Sequence, residues 1–343
     1  MKSHISRGGI HIYQVDAFTN EVFGGNPAGV VPDARGLSDD AMQKMAREMN
    51  LSETAFVLDL RGDQAWLEKD AKGRSGVIPD FEVRFFTPKA EVDLCGHATI
   101  ATFWLLTELG LINAKEEGPE RGLNFLRKEG HEIRVFQKTK AGVLPVDLFL
   151  GEDGEISRVM MGQNLPFVGF TLDEKEIDEL ERILGAPKFS ISDFCGPRPQ
   201  AVSTGLLDLI VPVSSRDALF SMSPDMVSLA DYCSKRGITS VHCFTMETIE
   251  PTSTVHCRDF APSVGIPEES ATGTASGATA AYLVLNSLVR KDGPVIPVLC
   301  EQGYIMGRPS SIYAEIDTDG NEIVSVRVGG AAVIVMEGIM KKG

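Results

Sequence analysis

Two glycines precede apolar stretches, and each is followed by a polar residue: Gly96-His97 before ATIATFWLL, and Gly273-Thr274 before ASGATAAYLVL. A glycine turn that opens a helix leaves the first backbone N–H groups without intrahelical acceptors, and the helix dipole adds positive potential there. A small anion such as a carboxylate can rest on those amides without a Lys or Arg. One such turn by itself reads as plain turn chemistry. The pairing, with His97 and Thr274 in corresponding places, points towards binding of a small acid. Glu53 follows a helix end and precedes an apolar strand, where partial burial would raise its pKa into the range of a general acid or base. From position alone a solvated surface glutamate is the better reading.

Those residues need elements to hold them. Ile10–Phe18 alternates as a strand, Gly24-Gly25-Asn26-Pro27 marks a tight turn, and Ala28–Val31 is a short apolar run. Ser38-Asp39-Asp40 caps a helix whose Met42, Met45, Ala46 and Met49 form one apolar face, and Asn50 should end it. Glu53–Leu58 follows as a strand. The helix from Gly96 to Leu109 is apolar on almost every side and is expected to be buried all round. Arg61–Asp80 and Asn113–Gly122 read as surface loops, and the first nine residues as a disordered tail.

The second half repeats this order. Arg84-Phe-Phe-Thr-Pro88 matches Arg258-Asp-Phe-Ala-Pro262, and Gly96–Thr102 matches Gly273–Thr279, at offsets of 258 − 84 = 174 and 273 − 96 = 177. Met42–Val57 has its partner in Leu229–Thr245. Two copies are too few for a solenoid and fit two similar domains with a cleft between them. The expected division is residues 1–139 and 140–343, with the last strand returning to the first half.

The chain has 343 residues, 33 Lys+Arg and 48 Asp+Glu, hence a net charge of −15. That balance disfavours nonspecific binding to nucleic acid or to an anionic membrane surface. No run reaches the length of a membrane span, and six scattered cysteines suggest reduced thiols, so a cytoplasmic protein is expected. Walker, dinucleotide-binding and nucleophile-elbow motifs are missing. His242-Cys243 and His256-Cys257 sit in strands, where adjacent residues face opposite sides, so a zinc site built from them is not expected.

Together YQVDAFTNEVFGGNPAGVV, MNLSETAFV, FFTPKAEVDLCGHATIA, RDFAPSVGIPEESATGTASG and EQGYIMGRPS resemble the phenazine-biosynthesis PhzF-like family over nearly the whole chain. The resemblance implies an α/β, diaminopimelate-epimerase-like fold: a duplicated chain of two halves, each a curved mixed sheet around a central helix. It also implies a homodimeric isomerase without metal or organic cofactor, similar to trans-2,3-dihydro-3-hydroxyanthranilate isomerase and acting on a small carboxylate-bearing substrate. By the family motifs, Glu53 of Asn50-Leu51-Ser52-Glu53 is the catalytic acid/base and His97 and Glu269 assist, His97 by orienting or protonating the substrate and Glu269 by hydrogen-bonding its amine or hydroxyl; Glu269 reads equally as a cap of the following helix. Ser52, Gly96, Gly273 and Thr274 bind substrate. Glu269, Ser270 and Thr274 replace the usual aspartate, proline and serine, which alters reach and, with the proline gone, should free the loop backbone. Cys95 stands where two-thiol racemases of this fold keep one thiol, but Ala271-Thr272 supplies no second, so Cys95 reads as a small buried residue. The rival reading is a non-catalytic member that binds a small acid or a protein partner.

Overall fold

The structure, a computed structural model, describes residues 9–61, 78–112, 132–191, 193–194 and 196–341. The expected tail (Gly9 excepted), most of the loop at Arg61–Asp80, all of Asn113–Gly122, and Cys195 lie outside the described residues. In chain order come β1 (Gly9–Ala17), β2 (Asn26–Val31), α1 (Asp39–Met49), β3 (Thr54–Asp59), β4 (Phe81–Phe86), β5 (Glu91–Val92), α2 (Gly96–Glu108), β6 (Glu132–Thr139), β7 (Gly142–Leu150) and β8 (Ile156–Gln163). There follow β9 (Phe167–Thr171), α3 (Glu174–Leu184), β10 (Gln200–Ser203), β11 (Leu207–Pro212), α4 (Arg216–Ser221), α5 (Met226–Arg236) and β12 (Val241–Thr245). The chain closes with β13 (Val255–Ala261), β14 (Ile266–Glu269), α6 (Gly273–Leu285), β15 (Val295–Gln302), β16 (Ser310–Asp319), β17 (Glu322–Gly330) and β18 (Ala332–Lys341).

The chain divides into two units. One comprises Met1–Phe23, Pro27–Met161 and Gly329–Gly343; the other comprises Gly24–Asn26 and Gly162–Val328. Thr139 and Lys140, at the expected boundary, lie at the turn of the β6–β7 hairpin, where Thr139 pairs with Gly142. That ladder, and the one from β7 to β8, carries the first unit on to Met161.

In the first unit β2 pairs parallel with β3, β3 antiparallel with β4, β4 antiparallel with β5 and parallel with β6, and β6 antiparallel with β7. In the second unit β11, β12, β13, β14, β15 and β16 follow the same succession of parallel and antiparallel pairings. The parallel β2–β3 step uses α1 as its crossover, as parallel strands require. Ser38 accepts the Ala41 N–H at its start, and Asn50 ends it with φ 51° in the left-handed region. Met42, Met45 and Ala46 bury their face against Ile10, Ile12, Val31 and Phe56. At the far end of the sequence, β18 runs antiparallel along β1 from Ala17–Ala332 to Gly9–Lys341.

Each unit holds one helix buried on all sides. In α2 every residue from His97 to Leu106 is buried, and in α6 every residue from Ala275 to Val284. Burying Ile100, Phe103, Leu105 and Leu106 contributes about 1.5–3 kcal/mol apiece. In α2 two of the threonines this places in an apolar interior satisfy themselves: Thr99 and Thr102 donate to the carbonyls of Cys95 and Ala98, one turn back. Such a helix is locked along its length, so its first turn is a fixed platform.

Candidate functional site

In the first unit the Glu53 carbonyl accepts the Gly29 N–H at 3.0 Å, pinning the residue just ahead of β3. Its carboxylate points to α2 rather than outward: Oε2 lies 3.3 Å from His97 Nε2, with side-chain exposures of 18% for Glu53 and 7% for His97. Ser52 Oγ lies 3.3 Å from the same ring nitrogen, while His97 Nδ1 lies 3.4 Å from Cys95 Sγ. Ser52, Glu53, Gly96 and His97 are therefore gathered at one helix start, and Cys95 is part of the same cluster. Burial pushes the His97 pKa down, and the charge of Glu53 opposes that shift. A neutral imidazole beside a carboxylate can accept, hold or pass on one proton.

Among the α-helices of the described residues, the first turns of α2 and α6 differ from the other four. Four helices (α1, α3, α4 and α5) have Ser38, Asp173, Ser215 and Asp225 accepting their first amides. Neither Cys95, which precedes α2, nor Thr272, which precedes α6, makes a side-chain cap, and neither helix has an acidic residue in its first turn. Gly96 and Gly273 are not among the glycines with positive φ, so left-handed backbone is not what selects glycine there. Among the described α-helices, the two uncapped starts are those that the paired motif singles out, and both keep their positive end available to an anion.

In the second unit Glu269 ends β14, four residues before the first residue of α6. Asn26 Nδ2 donates to its Oε1 at 2.9 Å and also to the Ala271 carbonyl at 2.9 Å. Thr272 Oγ1 lies 3.2 Å from the other Glu269 oxygen and 3.0 Å from Asp259 Oδ2, and its one proton serves either carboxylate in turn. Gln302 Nε2 donates to the Glu269 carbonyl at 2.7 Å. Behind Asp259, Ser240 bridges to Asp208, and His242 Nδ1 stands 3.1 Å away. Burial, and then the charge of Asp259, hold the Asp208 carboxyl well above its usual pKa. Thr274 is held through its backbone, its carbonyl accepting from Thr204 Oγ1 at 3.2 Å.

One expectation needs correction. Loss of the family's proline does not free the loop: Ser270 is buried, its hydroxyl donates to the Gly25 carbonyl at 2.9 Å, and its own carbonyl accepts from Ser310. A side-chain tie supplies the restraint that a fixed φ would otherwise give. Sequence reading also passed over Asn26, Thr272, Asp259 and Gln302. All four stand in the strings that carry the family resemblance, but nothing in those strings gives them a role of their own.

His242 and His256 do not share a site. The first pairs with Asp259, and the second lies 2.6 Å from Glu301 at the other end of the β12–β13 ladder. Among the described residues, no helix is long and apolar enough to cross a membrane.

Comparison with known proteins gives a coherent result. The match to the family described as phenazine biosynthesis-like protein spans residues 15–338. An uncharacterized isomerase of Clostridium acetobutylicum is 33% identical over 329 residues, covering 95% of this chain and 96% of the relative. The crystal structure of a PhzF-family phenazine biosynthesis protein from Bacillus anthracis matches with a TM-score of 0.79 at 30% identity, covering 97% and 99% of the two chains. A hydroxyproline epimerase from Agrobacterium vitis, solved with trans-4-hydroxy-L-proline bound, shares the fold at a TM-score of 0.58 and 13% identity, with 98% and 93% covered. The epimerase-like α/β fold expected from the motifs is thus the fold of this chain.

Proposed function

Because the chain belongs to the phenazine biosynthesis-like protein family and is, like its relatives, an isomerase, we propose that Glu53 carries a proton between two carbons of a small carboxylate-bearing substrate, with no cofactor taking part. The observation that carries this reading is the Glu53–His97 contact of 3.3 Å at a helix start without a side-chain cap. Glu53 takes a proton from a carbon next to an unsaturated system, and the bonding pair enters that system. The same carboxyl group then returns the proton at another carbon, so nothing is oxidised or reduced. Negative charge that builds on the substrate is offset by the free amides of the first turn of α2, which need no reorganisation. His97 holds the carboxylate in place and can share its proton.

Ser52 orients the His97 ring through Nε2. In the second unit, Glu269, Gly273 and Thr274 are assigned to recognition of the substrate's polar groups. A cyclic unsaturated acid of the trans-2,3-dihydro-3-hydroxyanthranilate kind suits such chemistry, since its carboxylate meets amides and its allylic C–H is acidic enough for a carboxylate base. The assembly that goes with this reading is a homodimer.

The test is incubation of small unsaturated acids with the protein in D2O, read by mass and proton NMR. Wild type should place one deuterium at carbon, and Glu53→Gln, which keeps the shape and removes the base, should lower that rate by about 10²–10⁴-fold. A folded Glu53→Gln protein that exchanges at the wild-type rate would refute the mechanism.

A further inference from the structure

The two units fill corresponding places in their sheets with opposite chemistry. In the first unit Ala55 on β3 stands opposite Phe85 on β4, which stands opposite Val92 on β5. In the second unit the same row is His242 on β12, Asp259 on β13 and Glu269 on β14. An apolar row is enough to build the sheet, whereas a buried titratable row costs stability wherever a charge goes unpaired. Asp259 and Glu269 stand directly opposite each other, and two like charges so placed destabilise a sheet. Thr272 Oγ1 lies between them, 3.0 Å from Asp259 Oδ2 and 3.2 Å from Glu269 Oε2, and accepts from Gln302 Nε2 at 3.2 Å. A hydroxyl has one proton, so both oxygen–oxygen contacts are hydrogen bonds only when one of the two carboxyl groups is protonated.

Asp259 is the better seat for the negative charge. Ser240 Oγ donates to its Oδ1 at 2.7 Å, and His242 Nδ1 lies 3.1 Å from the same oxygen. His242 Nε2 is buried without a hydrogen-bond partner, which places a ring proton on Nδ1. Behind Ser240, burial and then the charge of Asp259 keep the proton on Asp208, which leaves the Ser240 proton to Asp259. On α5, burial and then the charges of Asp259 and Asp208 push the Cys233 thiol up to about 11 against the pull of Arg236, so that neighbour stays neutral.

We propose that Glu269 and Asp259 hold one proton in common through the Thr272 hydroxyl, and that Thr272 and Asp259 are thereby positioning residues for Glu269. At rest Glu269 Oε2–H donates to Thr272, and Thr272 donates to Asp259. When a hydroxyl or amino group of the substrate gives a proton to Glu269 Oε1, the Oε2 proton passes to Thr272 Oγ1 and the Thr272 proton to Asp259 Oδ2. One O–H or N–H bond of the substrate breaks, one O–H bond of Asp259 forms, and nothing is oxidised or reduced. The carboxyl group does not rotate, since Asn26 holds Oε1. The substrate class is an unsaturated acid bearing a hydroxyl or amino group. That step rests on the reading of Glu269 given above; the shared proton does not.

Infrared spectroscopy reads the proton without substrate, because carboxylic acids absorb in a carbonyl-stretch region that carboxylates leave clear. In the full-length protein at pH 8, Glu269→Gln, Asp259→Asn and Thr272→Val should each remove the intensity of one carboxylic acid. The double variant Glu269→Gln with Thr272→Val should remove no more than one, since both act on the same proton. Thr272→Ser keeps the hydroxyl and should keep the band. Full intensity in folded Glu269→Gln, or additive losses in the double variant, would overturn the shared proton. In the deuterium-exchange assay with hydroxy- and amino-substituted unsaturated acids, Thr272→Val should lower kcat by about 10²-fold with KM little changed, and Thr272→Ser should recover it to within about threefold. Exchange by Thr272→Val at the wild-type rate would overturn the positioning role. If the infrared pattern holds and the wild type exchanges none of these acids, the proton-shuttle reading fails and the shared proton stands.

Discussion

Replacing Asp80 by Asn should stabilise the first unit at pH 8 by about 2–2.5 kcal/mol more than it does at pH 4. Asp80 is 1% exposed; its Oδ2 accepts the Phe136 N–H at 2.8 Å, while its Oδ1 is buried without a hydrogen-bond partner. Burial is the largest influence on the carboxyl and lifts its pKa from 3.8 to about 6, against the Phe136 bond and the Arg61 charge. The folded chain therefore holds a proton that the unfolded chain releases. The stability tied to that proton is fully present below pH 3.8, and it is lost as pH rises through about 6. At about 1.4 kcal/mol per unit the whole shift amounts to about 3 kcal/mol, of which about 2–2.5 falls between pH 4 and pH 8.

Asparagine keeps the acceptor for Phe136 and cannot ionise, so it removes this pH dependence. Its unmatched amide protons cost about 1–3 kcal/mol at every pH, and comparing two pH values cancels that cost. Thermal melts of both proteins at pH 4 and pH 8 are the assay. For a folding unit of this size 1 kcal/mol moves Tm by about 2–4 °C, so the difference in Tm shift between the two pH values should be about 5–10 °C. A shift equal at both pH values, or larger at pH 4, would refute the argument that buried Asp80 binds its proton more tightly in the folded state.

Arg258 is 6% exposed, forks onto Glu268 at 2.9 and 2.9 Å, and also donates to the carbonyls of Leu219 and Met222. Arg258→Ala should cost about 3–5 kcal/mol in a urea titration, because a charge and two carbonyls lose their partner. The counterpart Arg84, forked onto Glu91 but 20% exposed, should cost only about 1 kcal/mol. Gly277→Ala should destabilise by about 1–3 kcal/mol despite alanine's better helix propensity, since a Cβ would overlap Gln163 Oε1 and lie 2.9 Å from Val328; urea unfolding checks it. Sedimentation should give twice the 37.1 kDa chain mass if the homodimer reading is right, and a single-chain mass would reject it.

Short-range features carried much of the architecture into view. The Ser38 cap, the spacing of Met42, Met45 and Ala46, and the left-handed Asn50 are local in energy, so α1 could be read to the residue. The apolarity of α2 on almost every side announced a helix buried all round, and α6, its counterpart in the second half, is buried likewise. The match of Arg84 with Arg258 now has a physical content: each arginine grips a glutamate on the antiparallel strand that follows, Glu91 or Glu268.

The sequence by itself determined these elements and offered Glu53 and His97 as titratable residue types, because period, cap and composition act over a few residues. Only the tertiary structure decided which distant groups meet. The pairing of β1 with β18, the inclusion of Gly24–Asn26 in the second unit and the grip of Asn26 on Glu269 link positions hundreds of residues apart. No local signal marks such partners. They are selected when the whole chain buries its apolar faces and every polar group thereby taken from water must find a partner within reach.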